Sequence, residues 1–129
     1  MATPPDVVVV RGRSLPPWAA ALGGSGGPRV LTEDDVRTSD PGRLAAALED
    51  AGCALIDGSV AIARVARQLH EIQPTLQLAA VVAPEEREHA QRALLFAPGV
   101  GELSLVAPGE AGPALVTRLA DLTARRRAY

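Results

Sequence analysis

Four short stretches of this chain are apolar almost without a break: VVVV at 7–10, CALI at 53–56, LAAVVA at 78–83 and LSLVA at 103–107. A strand with one wet face alternates apolar and polar side chains, whereas a run without alternation is covered on both faces. Segments of helical period lie between these runs, so strands and helices follow one another in turn. Right-handed crossovers then place helices on both sides of a parallel sheet. The expected architecture is a single α/β domain, a doubly wound five-stranded parallel sheet made of five strand–helix units.

Turn and cap signals divide the chain further. The first strand is expected over Asp6–Val10. Ser14-Leu15-Pro16-Pro17-Trp18 reads as a helix start, a capping serine followed by prolines tolerated only in the first turn. GGSGGP at 23–28 stops that helix, and Arg29–Thr32 is a short second strand. Asp40 can cap a helix from about Pro41 to Ala51, with Leu44, Ala47, Leu48 and Ala51 on one face and Gly52 as terminator. Residues 53–57 form the third strand. An amphipathic helix follows, carrying Ile62, Val65, Ala66, Leu69 and Ile72 on one face and closed by Pro74. Gln77–Ala83 is the fourth strand, and Pro84-Glu85-Glu86 opens the next helix with proline and acids where the dipole favours them. Leu103–Ala107 is the fifth strand. The last helix starts near Gly112 and carries Leu115, Val116, Leu119 and Leu122.

Composition narrows the function. The chain has 129 residues, enough for one domain that buries about two thirds of its unfolded surface. Trp18, Phe96 and Tyr129 are its only aromatic residues, and its formal charge is −2. Nucleic-acid binding is therefore disfavoured, because single-strand readers need stacking aromatics and duplex binders a basic surplus. The lone Cys53 cannot form an internal disulfide and starts a buried strand, which suits a small core residue in a reducing cytoplasm. The N-terminal MATPPDVVVV has no basic region and only four consecutive valines, so neither a signal peptide nor membrane insertion is expected.

In such sheets, ligands and chemistry gather at the carboxyl ends of the strands. The third strand ends in Asp57, a pattern that any α/β strand can also show. Element order, chain length, Ala54-Leu55-Ile56-Asp57, and Pro108 directly after the fifth strand together resemble a receiver domain of two-component signalling, over roughly residues 5–124. The resemblance implies a flavodoxin-like, receiver-like fold with four functional strand ends. In the family an acidic pair holding magnesium ends the first strand, a phosphorylated aspartate the third, Ser or Thr the fourth, and Lys followed by Pro the fifth. Phosphoryl transfer needs a metal to neutralise charge on the phosphoryl oxygens, with a fixed cation and hydroxyl to hold the product.

This chain departs from that pattern. Arg11-Gly12 stands for the acidic pair, Ala83 for the hydroxyl and Ala107 for the lysine before Pro108, and Gly58-Ser59-Val60-Ala61 lacks the proline usual beyond the aspartate. Without the acids a hard cation loses most of its oxygen ligands, so magnesium-dependent phosphorylation of Asp57 should fail. The chain resembles a degenerate pseudo-receiver: a non-catalytic regulatory module with no cofactor and no metal, which transmits signals through protein contacts. Two alternatives stay open. One is a working phosphorelay member phosphorylated on Asp57 by a histidine kinase with magnesium bound. The other is a small α/β domain that binds a ligand in the strand-end crevice. Arg11 sits where the metal ligands would be, and a bidentate pair with Asp57 would substitute a permanent charge and lock one state. Otherwise Arg11 faces solvent and Asp57 caps the following helix through the amides of Ser59 or Val60.

Other motifs carry less. Glu33, Asp34 and Asp35 could gather a divalent cation, but an acidic loop before a helix is usually solvated and favoured by the dipole. His70 and His89 have no second ligand at helical spacing. GGSGG lacks the lysine and hydroxyl of a phosphate loop, Gly99-Val100-Gly101 leads into a strand, and Ser59 has no GxSxG context. Leu94, Leu95, Phe96 and Val100 lie in a stretch too apolar for one face of one helix. The resemblance implies a partner or homodimer surface there, packing under the last strand being the alternative. The last helix stops in mid-pattern at Arg125-Arg126-Arg127, which suggests that it continues into an output or kinase domain of a longer chain; a natural basic terminus is the other reading.

Overall fold

The computed structural model describes residues 7–20, 22, 28–95 and 103–128. Five strands, β1 (Val7–Arg11), β2 (Arg29–Thr32), β3 (Cys53–Asp57), β4 (Gln77–Val81) and β5 (Leu103–Val106), form one sheet in the order β2-β1-β3-β4-β5. Every neighbouring pair is parallel, and Val9 lies in register with Val30 on one side and Leu55 on the other. This is a flavodoxin-like α/β fold.

Three of the four apolar runs have the burial they call for; β5, at the edge of the sheet, does not, with Ser104 exposed and Leu103 and Leu105 half-buried. Val7–Val10, residues 53–56 and all of β4 are buried. Period-two geometry sends alternate residues into two separate cores. Val8, Val10, Ala54, Ile56, Leu78 and Ala80 enter the first, while Val7, Val9, Cys53, Leu55, Ala79 and Val81 enter the second. Small residues at 54, 79 and 80 keep the central strands thin, so helices can approach closely.

Five helices complete the fold: α1 (Glu33–Thr38), α2 (Pro41–Leu48), α3 (Ile62–Ile72), α4 (Arg87–Leu95) and α5 (Pro113–Arg127). The first core is closed by Val36 of α1, Leu44 and Leu48 of α2, and Val65, Ala66 and Leu69 of α3. The expected amphipathic stripe of α3 is thus its packed face, and each large aliphatic residue in it contributes about 1.5–3 kcal/mol by leaving water. The second core is closed by Leu115, Val116 and Leu119 of α5, with Trp18, Ala19 and Leu22 beside them.

The helices are distributed differently from the expected one per crossover. Residues 17–19 make only a single 3-10 turn, whose cap position is Pro16 and not Ser14. Proline at the start costs that turn nothing, since first-turn amides have no intrahelical partner, but nucleation is costly for so short a segment. The β2–β3 crossover holds two helices, because Glu33-Asp34-Asp35 is the first turn of α1 and not a loop. Asp40 does cap α2, accepting the Gly42 amide at 2.8 Å, but the helix ends at Leu48, four residues before Gly52. The expected strands run long at two ends: β4 stops at Val81 and β5 at Val106, short of the prolines at 84 and 108, which have no amide to give a ladder.

Candidate functional site

At the carboxyl edge of the sheet the chain leaves β1 toward β2 on one side and returns through β3 on the other. A crevice opens at such a reversal. Here it is an open cleft of about 610 Å³, lined by the loop after β1, the start of α1 and the turn after β3, with Arg13, Ser14, Glu33, Asp34, Asp57 and Ser59 on its walls.

Asp57 is half-buried at the end of β3, and its Oδ2 accepts the Ser59 hydroxyl and, at 3.4 Å, the Ser59 amide. The Val60 amide donates to the Asp57 backbone carbonyl at 3.2 Å. The carboxylate therefore closes a local turn on itself. Two glycines make that turn possible. A methyl group on Gly58 would stand 2.9 Å from the Val81 carbonyl oxygen, to which the Gly58 amide donates at 2.8 Å. A methyl group on Gly12 would stand 2.7 Å from Ser59 Oγ, so the β1 loop and the β3 turn touch directly.

The proposed lock between Arg11 and Asp57 does not form. Val10 is in register with Ile56, which makes Arg11 and Asp57 neighbours along the edge. Arg11 Nη1 nevertheless donates to the Gly12 carbonyl at 3.0 Å, and the arginines seen in carboxylate pairs are Arg37, Arg64, Arg92 and Arg125. Ser59, two residues away, reaches the carboxylate at less conformational cost than a long arginine side chain. The capping alternative holds in part: the Ser59 amide points to Asp57, but the start of α3 is capped elsewhere.

That cap is Glu33. Its Oε2 accepts the Ala61 amide at 2.8 Å and Arg64 Nη2 at 3.0 Å, tying α1 to the first turn of α3. Asp34 pairs with Arg37. Asp35 accepts the Thr32 amide at 2.9 Å while Thr32 Oγ1 accepts the Asp35 amide at 2.9 Å, a capping box. Hydrogen bonds from Thr32 hold the Asp35 carboxyl below its ordinary value, against slight desolvation and helped by the Arg11 charge. Each acid of this trio has its own partner, and no cluster of three metal-ligating side chains occurs among the described residues. Glu33 as a helix cap was hidden in the sequence, because its partner amide is 28 residues away.

The remaining strand-end positions share one device. Ala83-Pro84-Glu85-Glu86 after β4 and Ala107-Pro108-Gly109-Glu110 after β5 each turn into a 3-10 segment, with Glu86 and Glu110 amides donating to the Ala83 and Ala107 carbonyls at 2.9 Å. Glu110 Oε1 also accepts the Ala107 amide at 3.0 Å. Positions 83 and 107 thus lie on the same edge as Asp57 and present only methyl groups to it.

Of the apolar stretch read as an interaction face, Leu95 is exposed and Leu94 lines a groove between α3 and α4; Phe96 and Val100 lie outside the described residues. Cys53 is buried in the second core, where burial pushes its thiol up to about 12. No helix among the described residues is long and apolar enough to cross a membrane. Compared with known proteins, the chain matches no family model, no curated protein and no solved structure.

Proposed function

We propose that this chain is a pseudo-receiver: a non-catalytic module of two-component-type signalling that works through protein contacts without phosphorylation. The observation that carries the reading is the strand-end edge itself. A sheet ordered β2-β1-β3-β4-β5 brings Asp57 to the same edge as Arg11, Ala83 and Ala107, where a phosphate acceptor would need acids, a hydroxyl and a cation. The carboxylate is meanwhile occupied by Ser59. Arg11 supplies charge on this edge but spends its hydrogen bond on a backbone carbonyl.

Incubation with acetyl phosphate and magnesium tests the reading. The expected result is an unchanged intact mass and unchanged amide spectra, with beryllofluoride equally silent. A mass gain of one phosphoryl group, abolished by Asp57→Asn, would instead establish the phospho-acceptor alternative. The open cleft favours a second reading, a small-ligand domain. That reading predicts saturable shifts at Ser14, Asp57 and Ser59 in a small-molecule screen.

A further inference from the structure

A second depression, about 670 Å³, runs between the chain entering α3 and one face of α4. On α4 and the turn before it, the groove is walled by Glu86, His89, Ala90, Ala93 and Leu94, the i, i+3, i+4, i+7, i+8 set of a single helical face. Eight residues of rise make that wall about 12 Å long. The facing wall is Val60, Ala61, Ile62 and Ala63, and Val82 closes the bottom. Alanines at 61, 63, 90 and 93 leave the space open; α4 buries only Ala90.

Charge sets the groove apart from a mere packing gap. Glu85 and Glu86 at its rim are exposed, and neither enters a side-chain hydrogen bond or ion pair. The one arginine on the rim, Arg64, is already bound to Glu33. An elongated apolar trough with an uncompensated acidic rim is complementary to a basic amphipathic segment. We propose that this groove docks a partner segment whose aliphatic side chains fill the space over Ala90 and Ala93 and whose lysines or arginines face Glu85 and Glu86. The inference rests on the protein-contact reading above, but its site is separate from Asp57.

The probe is a synthetic helical peptide with leucines at i, i+3, i+4 and i+7 and lysines elsewhere, titrated into the whole chain and followed by methyl NMR. Saturable shifts of Val60, Val82 and Leu94 are expected, weakening with added salt. Affinity should fall about tenfold or more in Glu85→Gln/Glu86→Gln, with thermal stability kept as the control. Ala93→Arg, at an exposed position, should weaken binding as well. Equal binding of the glutamate counterpart of the peptide overturns the proposal, as do shifts confined to other surfaces or no saturation. Concentration-dependent self-association that shifts the same methyls also overturns it, since the occupant is then a second copy. A chain that accepts phosphate on Asp57 yet binds the lysine peptide here sinks the pseudo-receiver reading and keeps the groove.

Discussion

Between Gly12 and Ser59 there is no room for a methyl group, and the same holds between Gly58 and the Val81 carbonyl. The two clashes differ in kind. The Gly58 neighbour is backbone, which cannot swing away, so Gly58→Ala should cost about 1–3 kcal/mol in urea denaturation. The Gly12 neighbour is a hydroxyl, so Gly12→Ala should displace Ser59 from Asp57 at smaller cost. Ser59→Ala added to Gly12→Ala should then recover part of the loss, a non-additive pair in a double-mutant cycle. Additivity there would mean that the two loops do not press on each other. Asp57 was readable from the length of its apolar run, because a buried strand has to end where a charge appears. Its partner was not, since the choice between Ser59 and Arg11 depends on how the turn folds back over Gly12.

Element by element, periodicity told most where the helix was long. The packed face of Ile62–Ile72 was readable because its stripe spans three turns, and Cys53–Asp57 because Gly52 and Gly58 bracket it. The short pieces were not. α1 has a single buried residue, Val36, so no apolar stripe announces it, and the Thr32–Asp35 capping box carries the signal instead. Thr32→Ala should cost about 1 kcal/mol by removing that cap. The acid side of the box has a pH dependence with a definite sign. Asp35 is more acidic folded than unfolded, so it contributes stability above its unfolded value near pH 4 and loses it as pH falls through the folded one. Between pH 6 and pH 3 the urea midpoint of Asp35→Asn should therefore fall less than that of the parent. An equal fall would remove Asp35 from the acid response.

At the scale of the molecule, the two sides of the sheet are unequally roofed. α1, α2 and α3 cover the first core, whereas α5 is the one α-helix among the described residues on the second. Slowest amide exchange is expected in β1, β3 and β4, whose residues are buried on both faces, and faster exchange in β2, where Arg29 and Val30 are exposed. α5 is fastened at its far end by Thr123, whose buried Oγ1 accepts the Gln77 amide at 3.0 Å and donates to the Leu119 carbonyl at 3.1 Å. Thr123→Val keeps the shape but leaves the Gln77 amide without that acceptor, an expected loss of about 1–3 kcal/mol by denaturation. The order of synthesis gives this arrangement a consequence. A ribosome releases α5 after every other described element, so until it emerges the valines and leucine at 7, 9 and 55 have only Trp18, Ala19 and Leu22 to cover them on one side. A nascent chain halted before residue 113 should be captured by chaperones or digested by protease, and folding should register as one late event instead of growing with length.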